Sequence, residues 1–298
     1  MSRVSRSSAL ALGSVILAGI LWGTISLYIR PLSHLGFTMG QVVFLRSLLA
    51  LLLTGAFLLC RCPEKFRVSL RDLWLFVGSG GISVCCFSWC YFHTISRGFA
   101  AVGGVLLYTS PAFVLLMSRL FFREKWTPRK VVSLGLILLG CLLVSGVGFS
   151  QLALPWDILA AGLASGFLYA LYSIFATLAL KKYTLPTLLF YTFFFSALAG
   201  LFTLSPIQTC QLCLQTPQSL LWIACAGILG TALPYLLYSW GMARTTPGKA
   251  AILVAVEPAI CTILGFLCYG EETTPGRLLG ILAVLATIVL LGTAKEES

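Results

Sequence analysis

The chain has 298 residues, of which 59% are hydrophobic and only 10% are charged, with a formal net charge of +11. An average soluble domain is about 45–50% apolar and about 25% charged, and so few polar residues cannot cover so much apolar surface in water. The composition excludes a soluble enzyme, a secreted disulfide scaffold and a disordered chain, and it leaves an all-α polytopic membrane protein. The positive charge is no nucleic-acid footprint, because Lys and Arg stand in short clusters between apolar runs.

A helix needs roughly 20 residues to cross the hydrocarbon core. Ten such runs follow one another, near 10–29, 38–59, 73–93, 102–122, 131–148, 157–180, 186–205, 219–241, 250–269 and 277–293. The start, MSRVSRSSALALGSVILAG, resembles a signal peptide. Its apolar stretch continues to about Tyr28 without a convincing cleavage pattern, so it reads as a first helix that stays. With the N-terminus in the cytoplasm, the inner connections collect 15 Lys and Arg, from Arg3 and Arg6 through Arg123, Lys125 and Lys130 to Lys295. The outer ones collect 3, namely Arg30, Arg97 and Arg277, while Arg46 and Arg119 lie within spans. This bias predicts an even number of crossings in a plasma (inner) membrane with both ends cytoplasmic.

The longest connection, PIQTCQLCLQTPQ at 206–218, carries no charge and reads as an outer loop. Cys210 and Cys213 either pair there or remain free thiols. Most of the eleven cysteines, such as Cys85, Cys141 and Cys261, lie inside apolar runs as small packing residues. Neither a metal nor a cofactor is expected, because the two histidines, His34 and His93, lie far from the CQLC pair in sequence.

The most informative pattern is a repeat at an offset of 147 residues. It pairs Leu21 with Leu168, Ser26 with Ser173, Ala50 with Ala197, Tyr91 with Tyr238, and Arg97 with Arg244. It continues through Pro111-Ala112 with Pro258-Ala259, Glu124 with Glu271, Thr127 with Thr274 and Pro128 with Pro275. Two five-helix halves follow, 1–148 and 149–298. Five is odd, so the second half enters the membrane from the opposite side. Inverted repeats of this kind commonly support alternating access.

Glu257 lies inside the ninth span, directly before Pro258, where an ionised group normally faces a cavity or a partner. It is a candidate for proton coupling or for binding a substrate amine; a structural hydrogen bond at a proline break is the other reading. Its counterpart is Ser110, itself a candidate substrate contact, so the charge is asymmetric. Pro111, Pro234 and Pro258 are candidate helix breaks, each freeing a backbone carbonyl. The paired aromatics Trp22 and Tyr169, and Tyr91 and Tyr238, are the better substrate contacts, with Tyr108 and Tyr172 beside them. Packing and the interfacial aromatic belt compete for the same side chains. His93, near the outer end of the third span, is a second proton-coupling candidate or an interfacial imidazole. Arg46 fits a structural or snorkelling role better than contact with a substrate carboxylate. The glycines at 78–81 and 103–104 allow close helix approach and form no phosphate loop.

Several stretches resemble the EamA family of the drug/metabolite transporter superfamily. They are ILWGT in the first span, VVFLRSLLALLL in the second, YTSPAFVLLMSRLFFREKWTPRK around the fourth, and VAVEPAICTILGFLCYGEETTPGRLLGILAVLA near the end. The third span, VCCFSWCYFH, departs from the family in its cysteine and aromatic load. The resemblance implies ten helices and a midplane substrate site touched by helices 1, 3, 4, 6, 8 and 9. It also implies export of small polar metabolites such as amino acids; import or facilitated passage of another small organic solute, such as a drug, an amine or a sugar derivative, is the alternative. Partners are then a small solute, the lipid bilayer and, if coupled, protons; the oligomeric state stays open. An intramembrane enzyme is the alternative of another class, but no paired carboxylates, HExxH or Ser/His arrangement stands in the spans. A channel would need a ring of like groups.

Overall fold

The computed structural model describes residues 3–97, 100–146, 155–202, 206–270, 272 and 274–292. Glu271 and Lys295 lie outside the described residues. The described chain is helical and crosses the membrane ten times. The first half runs α1 (Arg3–Gly23), α2 (Ser26–His34), α3 (Met39–Arg61), α4 (Leu73–Phe76), α5 (Phe87–Ser96), α6 (Ala100–Leu107), α7 (Ser110–Phe122) and α8 (Pro128–Ser145). The second runs α9 (Trp156–Leu180), α10 (Leu185–Leu201), α11 (Pro206–Gln215), α12 (Ser219–Gly227), α13 (Leu233–Met242), α14 (Pro247–Val254), α15 (Glu257–Tyr269) and α16 (Pro275–Gly292). Wide π-type turns, Val77–Cys86 and Ile228–Ala232, join α4 to α5 and α12 to α13. Eight crossings are long apolar segments; α10 and α16 are shorter apolar helices.

The repeat is visible in the element boundaries. Adding 147 to the ends of α6, α7 and α8 gives the ends of α14, α15 and α16. The caps repeat too: Thr127 accepts from the Lys130 backbone N–H, and Thr274 from that of Arg277, both at 3.3 Å. Each half's leading helix packs against the other half's third and fourth crossings. Thus α1 lies on α13, α14 and α15, while α9 lies on α5, α6 and α7. Helix α3 pairs with α10, and α8 with α16, across the same pseudo-twofold relation. With an odd number of crossings in each half, the two are inverted.

Small residues bring the seams together. A Cβ at Gly241 would meet the backbone oxygen of Ala11 at 2.6 Å, and one at Gly80 would fall on the Thr192 carbonyl. Ser47 and Ser196 meet at 3.0 Å between α3 and α10, a buried contact that satisfies both hydroxyls in a dry interior.

Two local features differ from the sequence expectation. The 206–218 connection is not simply a loop, because α11 forms there. Its Leu212 and Cys213 pack with Leu32, Phe37 and Val42, and Thr209 accepts from the Gln41 amide at 3.0 Å. Cys210 and Cys213 are free thiols on this helix. The first crossing is broken at Thr24–Ile25 between α1 and α2, while its repeat partner α9 is continuous.

One backbone position stands out. Helices α7 and α15 both end in a left-handed residue at matching places, Arg123 (φ 57°) and Gly270 (φ 64°). Glycine adopts this conformation freely, whereas a residue with a Cβ loses roughly 1–2 kcal/mol there. Arg123 is the one non-glycine with positive φ among the described residues.

Candidate functional site

The end of the bundle where α1 begins is called the N-terminal face. A cavity of about 140 Å³ lies between the halves and runs from mid-depth toward the opposite face. Its deep wall is Trp22, Tyr169 and Tyr235, and its far rim is Ile29 and Met39. Phe87, Ser88 and Tyr91 line it from α5, Tyr108 from the α6–α7 break, and Glu257 from the first turn of α15. Both breaks follow from the sequence, since Pro111 and Pro258 sit in the first turns of α7 and α15. There a missing N–H costs nothing, because first-turn N–H groups have no partner inside their own helix.

The cavity carries one charge of each sign. Arg46, on α3 of the first half, is 8% exposed, and its Nε has no hydrogen-bond partner among the described residues. Glu257, in the second half, lines the same cavity together with Tyr108. No ion pair joins Arg46 to Glu257 among the described residues. Arg46 is buried and Glu257 half-buried, and charges in such a low-dielectric pocket are costly unless a partner meets them.

Toward the N-terminal face the cavity stops at an aromatic plug. Trp22 makes ring contacts with Tyr235 and Tyr238, and Tyr172 with the same two rings, at centroid distances of 4.9–6.2 Å. Hydroxyl pairs lock the plug: Tyr172 with Ser239 at 2.7 Å, and Ser173 with Tyr238 at 2.8 Å. The space left among these side chains is about 10 Å³. The repeat partners of Tyr172 and Tyr238 are Ile25 and Tyr91, and both of those line the open cavity.

Two polar latches tie the halves together on the N-terminal face. Glu124, with 3% of its side chain exposed, accepts from Thr246 Oγ1 at 2.6 Å, Lys130 Nζ at 2.9 Å and the Gly248 N–H at 3.1 Å. Asp72 accepts from Lys182 and from the Tyr183 hydroxyl, both at 2.7 Å. The hydrogen bond to Asp72 raises the Lys182 pKa. On the opposite face His93 and Arg97 each stand 3.4 Å from Asp157, Arg30 lies over the Tyr269 ring at 4.0 Å, and the Gln41 amide donates to Thr209 at 3.0 Å.

Among the candidate residues, the structure brings Trp22, Tyr91, Tyr108, Tyr169 and Glu257 together around the cavity, and places Tyr172 and Tyr238 in the plug below it. Ser110 is buried at the start of α7 and does not line the cavity. His93 stands on the surface beside Asp157, away from Glu257. Pro234 sits at the start of α13, just after the π-type turn. Two further lining residues are Tyr235, which the sequence does not single out, and Arg46, for which it favours a structural role. The one signal for Arg46 is a charge within a span, and nothing in FLRSLLA tells which neighbour it faces. Among the described residues no group of three His, Cys, Asp or Glu is placed to hold a metal.

An inverted pair of five-helix bundles around a charged, aromatic midplane pocket is the architecture of an integral membrane transporter. A family model for EamA-like transporters matches the chain twice, over residues 9–146 and 154–293, and the chain belongs to that family. It is similar to an uncharacterized transporter of Archaeoglobus fulgidus, 26% identical over 93% of this chain and 94% of that one. It is also similar to the uncharacterized transporter YxxF of Bacillus subtilis, 24% identical over 96% and 90%. A solved crystal structure shares the fold with a TM-score of 0.75 over 96% of both chains, at 16% identity.

Proposed function

We propose that this protein is a secondary transporter that moves a small zwitterionic metabolite, of the amino-acid class, by alternating access between its halves 1–148 and 149–298. One observation carries the reading. Residues equivalent under the repeat stand in opposite states, with Tyr172 and Tyr238 packed shut and Ile25 and Tyr91 lining an open cavity. Exchanging the conformations of two inverted halves would close the second pair and open the first. Arg46 and Glu257 support the substrate class, since a guanidinium suits a carboxylate and a carboxylate suits an ammonium. The ring faces of Trp22 and Tyr169 suit an apolar side chain or a cation. The carboxylate of Glu257 is also the group placed to carry a coupled proton, and Tyr108 lines the same cavity. The excess of Lys and Arg at the N-terminal face supports a cytoplasmic N-terminal side in the plasma membrane. The pocket then faces outward, and transport from the cytoplasm is export, as the resemblance implies.

Counterflow in proteoliposomes tests this reading. A panel of radiolabelled amino acids is offered outside vesicles preloaded with the same unlabelled compound. At least one is expected to show saturable entry that speeds up on preloading. Entry that is linear in concentration and indifferent to preloading means a pore, and covalent change of the label means an enzyme.

A further inference from the structure

We propose that the N-terminal face carries a second, separate site that binds a phosphate oxyanion, with Arg123 as its principal ligand. A cavity of about 590 Å³ lies there, beyond the aromatic plug, between the ends of α7 and α9 and the starts of α8 and α14. Arg123, Lys125, Lys130 and Lys181 line it, against a single lining carboxylate, Glu124. That carboxylate already accepts three hydrogen bonds, one of them from Lys130. Lys181 lies over the ring of Phe122 at 4.9 Å, and the lining carries four basic side chains to one carboxylate. Thr127 adds a hydroxyl whose oxygen accepts from the Lys130 N–H at 3.3 Å, which leaves its proton for a ligand.

A general excess of cations on one membrane face explains charge, but not the backbone at Arg123. The matching position of the second half is Gly270, in the same left-handed conformation. The first half keeps arginine where glycine is the unstrained choice, and the side chain it retains is part of the cavity lining. A left-handed residue is common just past a helix end, but it is usually glycine, and strain kept at such a place clusters at ligand clamps and other functional sites. Guanidinium, ammonium groups and a hydroxyl converging from separate elements match an anion with several oxygens. The source of that anion is either a free phosphate-bearing solute or the headgroup of an anionic phospholipid, and the test separates the two.

Thermal unfolding of the full-length protein is followed in nanodiscs of phosphatidylcholine alone, in the same nanodiscs with inorganic phosphate at constant ionic strength, and in nanodiscs containing phosphatidylglycerol. A ligand that prefers the folded state raises Tm. Phosphate raising it identifies a soluble anion; phosphatidylglycerol alone raising it identifies a lipid headgroup. Arg123→Gly is the decisive variant. Its own Tm without ligand is expected to equal or exceed that of the wild type, because the strain is gone. Its apparent affinity for the effective anion is expected to fall by roughly tenfold or more. Lys181→Gln, which leaves the Arg123 backbone alone, should weaken the same response. The proposal is overturned if neither anion raises the wild-type Tm, or if Arg123→Gly responds as the wild type does. The outcome does not depend on the central cavity's substrate, so failure here leaves that reading standing.

Discussion

Arg46→Met is expected to lower saturable flux of a zwitterionic substrate by about 100-fold, and Glu257→Gln by a similar factor. Truncating one partner of a buried, hydrogen-bonded charge pair costs about 2–5 kcal/mol, and every 1.4 kcal/mol is a factor of ten. Both side chains line the same cavity, and no ion pair between them exists among the described residues to be broken. The loss therefore falls on the bound solute and not on the fold. The two variants should also separate by substrate. Arg46→Met spares flux of an amine that lacks a carboxylate, while Glu257→Gln spares a carboxylate that lacks an amine. Initial rates in proteoliposomes with the three substrate types read this directly. Equal losses for all three would show that the charges hold the helices and not the solute.

Glu124→Ala is expected to destabilise the protein by about 3 kcal/mol, the lower end of what breaking a buried pair costs. The change strands Lys130, whose side chain is 12% exposed, and removes the acceptor of both Thr246 and the Gly248 N–H. Glu124→Gln keeps an acceptor oxygen and should lose less. Thermal unfolding in one detergent ranks the three proteins. Equal midpoints for all three would mean that this latch contributes nothing to closing the N-terminal face.

Much of this architecture is legible from residue spacing alone. The repeat offset of 147 residues pairs the ends of α6, α7 and α8 with those of α14, α15 and α16, because each half solves the same packing problem with the same proline and threonine signals. Charge bias and apolar run length indicate ten crossings for a similar reason, since the bilayer imposes one length on every span. The site is legible where the repeat singles out residues, as with Trp22, Tyr169 and Tyr91. It is not legible where the decisive fact is which way a helix face turns. Arg46 in FLRSLLA gives no sign that its guanidinium enters the same pocket as Glu257, which stands in the other half of the chain. His93 and Asp157 come together only because α5 lies along α9. The left-handed turn at Arg123 is hidden for the opposite reason, since arginine predicts nothing of the kind and only its glycine partner hints at it.

The central claim is that the halves trade conformations around a fixed pocket. Two spin-label pairs test it in a cysteine-replaced background that retains transport. One spans the N-terminal face at Arg129 and Arg244, and the other spans the opposite face at His34 and Glu272; all four residues are exposed. Releasing the latch with Glu124→Ala, which removes the acceptor of Thr246 and the Gly248 N–H, should lengthen the first distance and shorten the second within the same sample. Distances that both hold still, or that lengthen together, would contradict the exchange.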